Sequence, residues 1–239
     1  MSSFLHHEAC PFCYSSDAYA VYDDGHTFCF SCRRGKKGQS SLSDVERLLT
    51  KFEGDNTKSL PLDFTFSIPK EPFVWLKKYE LTNAEIINNK IGWSNEKQLL
   101  IFPYFGEDGT VIFWQGRYFP QRKVKCYSAG DITNNLIILA SVDCVPSGTC
   151  VIVEDPVSAI KVSRIEPTLP LFGSHLSLQK VVRLSKFYSK LVLWLDFDKT
   201  AEMIKFQQSY GYLFDSIEIV STEKDPKEYS TEEIKNLLT

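Results

Sequence analysis

The chain has 239 residues, is 43% hydrophobic and carries a formal net charge of -3. Its length and apolar content suffice for a substantial buried core, and its charge excludes a histone-like binder of polyanions. No apolar run is long enough to span a bilayer, and the first eight residues lack both a basic start and a long apolar stretch, so no secretion signal is read. The expected location is cytoplasmic, the host cytoplasm for a viral chain.

Four of the seven cysteines crowd the N-terminus as two C-x-x-C pairs, Cys10/Cys13 and Cys29/Cys32, with fifteen residues between Cys13 and Cys29. Two such knuckles supply four thiolates in a tetrahedron, the spacing of a structural zinc site. Without a secretion signal, a pair of disulfides is the weaker reading. Between the pairs, "AYAVYDD" and "HTFCF" are short aromatic and β-branched runs broken by Asp24-Gly25, a hairpin signal. Residues 1–34 are therefore expected to form a zinc ribbon, with one Zn²⁺ per chain. So small a unit is held by its metal and suits a recognition role. Tyr14, Tyr19, Tyr22, Phe28 and Phe30, followed by Arg33 and Arg34, suit single-stranded nucleic acid. At least half of those aromatics are expected to form the ribbon's own core.

"RRGKKGQSS" and "EGDNTKS" are polar and poor in apolar residues. They predict a tether over 35–62, interrupted by a short helix that Ser43 caps and that places Val45, Leu48, Leu49 and Phe52 on one face. Beyond it, "EPFVWLKKY" and "LTNAEIINNKIGW" predict two helices, the second opened by a Thr82/Glu85 capping box. "QLLIFPYF", "GEDG" and "TVIFWQGRYF" read as strand, turn and strand. The stretch that follows is basic without an acid: Arg117, Arg122, Lys123 and Lys125. A subdomain over 63–145 is expected to carry this polyanion-binding stripe.

Residues 146–239 alternate. "TCVIVE", "LPLFG", "KLVLWLDFD" and "SIEIVS" are apolar strands, each followed by a helical segment. Continuously apolar strands separated by helices predict a parallel sheet covered on both faces, an α/β fold. Functional groups in such sheets gather past the carboxyl ends of the strands. Acids fall there repeatedly: Glu154 and Asp155, Asp196 and Asp198, and Asp225. Asp196 and Asp198 are two apart, so an extended backbone sends both to one side. Converging carboxylates suit Mg²⁺ or Mn²⁺. Asp155 precedes Pro156 and suits a helix cap; three further acids exceed what helix starts require.

A Glu ending one strand, D-x-D ending a later one and a further Asp resemble the TOPRIM domain. Together with the ribbon, the tether and "WQGRYF…KVKCYSAGD", the chain resembles the zinc-ribbon DNA primases of bacteria and tailed phages. "DDGHTFCFSC" is similar to the ribbon of phage primase-helicases. Two departures stand out. Asp155-Pro156 follows the Glu where Gly is usual, and Lys199 follows Asp198 where another acid is common. No G-x-x-x-x-G-K-S/T loop follows, so a replicative helicase is expected as a separate partner, as is a DNA polymerase.

The resemblance implies synthesis of short RNA primers from NTPs on a single-stranded DNA template. Glu154, Asp196 and Asp198 would be catalytic and, with Asp225, would hold Mg²⁺ or Mn²⁺. Arg117, Arg122, Lys123, Lys125 and Tyr127 would contact nucleotide or the backbone of the DNA–RNA hybrid. Asp24 and His26 would read template bases, with Arg33 and Arg34 beside them. Two rivals belong to other classes: a TOPRIM nuclease using the same carboxylates, and a catalytically silent nucleic-acid adaptor.

Overall fold

The computed structural model describes residues 3–23, 25–36, 59–130, 132, 135–141, 147–173 and 176–238. Two compact units result, Met1–Asn56 and Thr57–Thr239. The predicted helix around Val45–Phe52 and the turn residue Asp24 lie outside the described residues.

The first unit is an antiparallel sheet in the order β1-β2-β3-β4, from Phe4–Glu8, Tyr19–Tyr22, Thr27–Cys29 and Gly35–Lys36. The two central strands are those read from the aromatic runs. The outer two are additions. β1 is exposed along its whole length, so it has no buried face to imprint an alternating pattern on the sequence. Gly35, which reads as tether, is instead a close approach: a Cβ there would meet the Thr27 carbonyl oxygen at 1.9 Å.

The second unit holds two sheets. Gly92–Ser94, Leu99–Phe105, Val111–Tyr118 and Cys126–Gly130 form antiparallel β5-β6-β7-β8. Helices α1 (Lys70–Lys78) and α2 (Asn83–Asn88) pack Leu76 and Ile86 against Leu100 and Phe102 of this sheet. The predicted capping box opens α2: Glu85 N–H donates to Thr82 Oγ1 at 3.1 Å, and Thr82 N–H to Glu85 Oε2 at 2.7 Å. Ser59 belongs with this unit, since its carbonyl accepts from the Trp114 indole N–H at 3.1 Å.

The parallel sheet runs β10-β9-β11-β12, from Thr149–Val153 (β9), Thr168–Pro170 (β10), Lys190–Leu193 (β11) and Ser216–Ile219 (β12). The alternating segments fold as helices α3 (Pro156–Val162), α4 (Leu178–Leu184), α5 (Thr200–Tyr210) and α6 (Thr231–Leu238). Cys150, Ile152, Leu191 and Leu193 meet Val181, Leu184 and Met203 of α4 and α5 on one face. Val151, Val153, Val192 and Trp194 meet Ala159, Val162 and Ile234 of α3 and α6 on the other. Apolar layers on both faces explain why these strands are uniformly apolar. β9 sends one crossover to β10 on its left and receives β11 on its right. The chain therefore reverses its direction of winding at β9, which opens a crevice beyond the ends of β9 and β11.

Candidate active site and zinc centre

In the ribbon, the four cysteine sulfurs lie within 4.8 Å of one another. Cys10 Sγ and Cys32 Sγ are 3.8 Å apart, and Cys13 Sγ and Cys29 Sγ are 3.7 Å apart. A ZnS₄ tetrahedron with bonds of about 2.3 Å has edges of about 3.8 Å, so the site fits zinc in both donor type and size. Each knuckle turns the same way. Tyr14 and Arg33, directly after the second cysteine of each pair, sit in the left-handed region at φ 58° and 59°. Their N–H groups donate back to the Cys10 and Cys29 carbonyls at 2.9 and 2.8 Å. A backbone N–H at Ser15 lowers the Cys13 thiol, whereas desolvation raises Cys32.

The aromatics distribute differently from the expectation that at least half would be internal. Tyr19 is 3% exposed, but Phe30 is 61% and Tyr14 88% exposed. The sulfur cluster itself fills the centre of so small a unit, leaving room for one large ring. His26 stacks on Tyr22 with centroids 3.9 Å apart and planes at 13°. Arg33 and Arg34 are exposed.

Glu154 and Asp196 end β9 and β11 at the crevice. The Asp196 backbone N–H donates to Glu154 Oε1 at 3.2 Å. Burial pushes the Glu154 carboxyl up, with Asp198 and Asp155 adding to it against the Asp196 N–H and Lys199. Burial, followed by the charges of Asp225 and Glu154, pushes Asp196 up to about 6. Asp198 sits in the 3-10 turn Phe197–Lys199 that carries β11 into α5. Among the described residues, only the cysteines bring three donor atoms within 4.8 Å of one another. The carboxylates share an edge without closing that far. Oxygen donors that are desolvated and mutually repelling fit a hard divalent cation, which would relieve both strains.

Asp155 caps α3 as its position before Pro156 predicts. Oδ1 accepts from Val157 and Ser158 N–H at 2.9 and 3.1 Å, and Oδ2 from Ser158 Oγ at 2.6 Å. Oδ2 also faces Lys227 Nζ at 3.1 Å, and the same ammonium bonds Asp225. Lys227 had no part in the sequence reading. An isolated lysine among surface-like acids carries no pattern, and only the fold turns it inward.

The basic stripe divides by the two-residue period of a strand. Gln115, Arg117 and Cys126 line one pocket with Trp75, Asp155 and Lys227. Arg117 lies over the Trp75 ring, 4.7 Å from its centroid. Tyr127 points to the opposite sheet face, packed on Trp114. Arg122 lines a second pocket with Tyr127 and stacks over Tyr118 at 4.3 Å. Lys123 and Lys125 are exposed in the connection between β7 and β8. Arg117 is thus the member of the stripe that shares a pocket with one of the strand-end acids, Asp155.

No family model matches the chain, and no curated protein does. Solved structures do. The Aquifex aeolicus primase, spanning its zinc-binding and RNA polymerase domains, superposes with a TM-score of 0.55 at 15% identity, covering 99% of this chain and 80% of that one. The DnaG catalytic core gives 0.57 at 13% identity, covering 83% and 79%. The DnaG catalytic domain bound to single-stranded DNA gives 0.55 at 14%, covering 83% and 80%. The chain has the primase fold. Within it, the ribbon and the antiparallel and parallel sheets occur in the order that the sequence resemblance implies. No helix among the described residues of this primase fold is long and apolar enough to cross a membrane.

Proposed function

We propose that the chain is a DNA primase, a nucleotidyltransferase that joins NTPs into short RNA primers on single-stranded DNA. The observation that carries this reading is the meeting of Glu154 and Asp196 at the crevice beyond β9 and β11, in the same compact unit as the Arg117–Trp75 pair. The primase fold and the binding of single-stranded DNA by a structure that shares it support the reading.

Glu154, Asp196 and Asp198 hold Mg²⁺ or Mn²⁺ in this reading. An ion bound there would offset charge on the phosphates and make the primer 3′-hydroxyl more acidic. That hydroxyl attacks the α-phosphorus of the incoming NTP, and pyrophosphate leaves as the new P–O bond forms. In this reading Glu154, whose carboxyl is raised by burial, accepts the hydroxyl proton. Arg117, held over the Trp75 ring, presents its guanidinium fork to phosphate oxygens in this reading. The zinc-pinned ribbon selects the start site on the template, with its exposed rings available for stacking on bases.

Incubation with single-stranded DNA, labelled NTPs and Mg²⁺ or Mn²⁺ tests the proposal. Short RNA products are expected. Degraded DNA without nucleotides would mean a nuclease, and bound but unchanged DNA an adaptor.

A further inference from the structure

Four bonds converge on Asp155, two at each oxygen. A carboxylate offers about four lone-pair positions, so Asp155 has none left for a metal. The fourth bond comes from Lys227, which spans the gap to Asp225. This lysine is not a loose surface group. Its side chain is 14% exposed, it follows Pro226 in the 3-10 turn Pro226–Glu228, and its ammonium lies 5.8 Å from the centre of the Tyr79 ring. A second lysine fixes its backbone. Lys161, fully buried on α3, donates to the Lys227 carbonyl at 3.2 Å and to Glu80 Oε2 at 3.1 Å.

Resting on the primase reading above, we infer that Lys227 takes the place of a divalent ion at the Asp155–Asp225 end of the acidic edge. The chain then binds its catalytic ion only at the Glu154–Asp196 end, and Asp225 is an ion-pair partner of Lys227 rather than a metal ligand. Geometry requires this exclusion. An ammonium bonded to both carboxylates occupies the space a metal would need, and a divalent ion sharing those oxygens would sit against a fixed positive charge. A tethered cation also explains two features of the sequence together. Asp155 brings a carboxylate to the start of α3, and Lys227 arrives two positions after Asp225 to satisfy both.

Zinc-loaded full-length protein titrated with Mn²⁺, with free ion followed by electron paramagnetic resonance, tests the inference without any assay of activity. The wild type is expected to take up one ion at the acidic edge. Asp225→Asn should leave its affinity within twofold. Lys227→Gln should raise uptake to two ions. Uptake of two ions by the wild type, a tenfold loss of affinity in Asp225→Asn, or unchanged uptake in folded Lys227→Gln overturns the inference. If Lys227→Gln does not fold, Asp225→Asn decides. Asp196→Ala separates the two levels: an ion retained in that variant defeats the primase reading of the Glu154–Asp196 end itself, whatever Lys227 does.

Discussion

The backbone N–H of Asp196 donates to the carboxylate of Glu154 at 3.2 Å, tying together the ends of two neighbouring parallel strands whose residues are 42 apart in the chain. This bond holds an acid at the switch point of the sheet, next to a second acid whose own carboxyl is pushed up to about 6. If the pair serves metal-dependent polymerisation, Asp196→Ala should abolish primer synthesis, a loss of at least 10³-fold, while binding of single-stranded DNA stays within about twofold. Gel-shift and primer-synthesis assays on one preparation check both. Loss of DNA binding together with activity would show that Asp196 holds the fold rather than the chemistry.

The raised Asp196 also dictates a pH dependence. Its unfolded value is about 3.9 and its folded value about 6. Between those values the folded state binds more protons, so the stability of metal-free protein falls as pH rises through that window. Glu154 is raised as well and acts in the same sense. A divalent ion binds the deprotonated pair and reverses the loss. Thermal unfolding should therefore show a Mg²⁺-dependent rise in Tm at pH 7.5 that disappears at pH 4.5. Asp196→Asn should remove most of the difference.

In the ribbon, the 3.7 and 3.8 Å sulfur separations fit one zinc ion shared by all four cysteines. Among the described residues of that unit, the buried hydrophobic side chains are Cys10, Tyr19, Ala20 and Cys29, too few to fold it without metal. Cys29→Ser should release the zinc, measured as metal content per chain, and abolish template-directed initiation. A variant that keeps starting primers at the same template sites would refute a recognition role for the ribbon.

Much of this was legible from residues alone, and the reasons differ by element. The parallel sheet announced itself because burial on both faces leaves strands such as "VIV" and "LVLWL" with no polar positions. Strand-end acids could be placed because chain direction is fixed by the alternation with helices. The basic stripe was legible as composition but not as geometry. Whether Arg117 and Tyr127 face the same way depends on their separate strands and their register, Arg117 opposite Cys126 and Tyr127 opposite Gly116. β1 had no buried face to mark it. Lys227 was the hardest to see, since its significance lies in contacts with Asp155, 72 residues earlier, and Tyr79, which ends α1.

Because Arg117 shares a pocket with Asp155 and Lys227 while Arg122 does not, the two should respond differently to substitution. Arg117→Ala should lower primer synthesis by 10²-fold or more and flatten the salt dependence of binding to primed template by about 0.7 in log–log slope, one phosphate contact. Arg117→Lys should recover little, because an ammonium cannot lie flat on Trp75 or present a two-pronged fork. Trp75→Ala should reproduce part of the defect through loss of that platform. Arg122→Ala should cost under threefold. Equal effects at both positions would mean that the basic residues act only as a diffuse field.

Arg164 connects the two halves of the second unit. It bonds Glu85 Oε1 and Oε2 at 2.6 and 2.9 Å, Thr231 Oγ1 at 2.8 Å and the Glu80 carbonyl at 3.0 Å. Burial works to raise the Glu85 carboxyl, but the Arg164 hydrogen bonds and the capping N–H of Thr82 hold it below its ordinary value. The pair's contribution is therefore present above the unfolded pKa of about 4.3 and is lost as pH falls through the lower folded value. Arg164→Ala leaves Glu85 partly buried and unpaired, so it should cost about 2–4 kcal/mol in denaturant unfolding at pH 7. That cost should shrink below pH 4, where Glu85 is neutral in the variant. Arg164→Lys should recover only part of it, since one ammonium cannot serve four acceptors spread over three segments. A cost that does not change with pH would assign the stabilisation to packing of the arginine stem rather than to its charge.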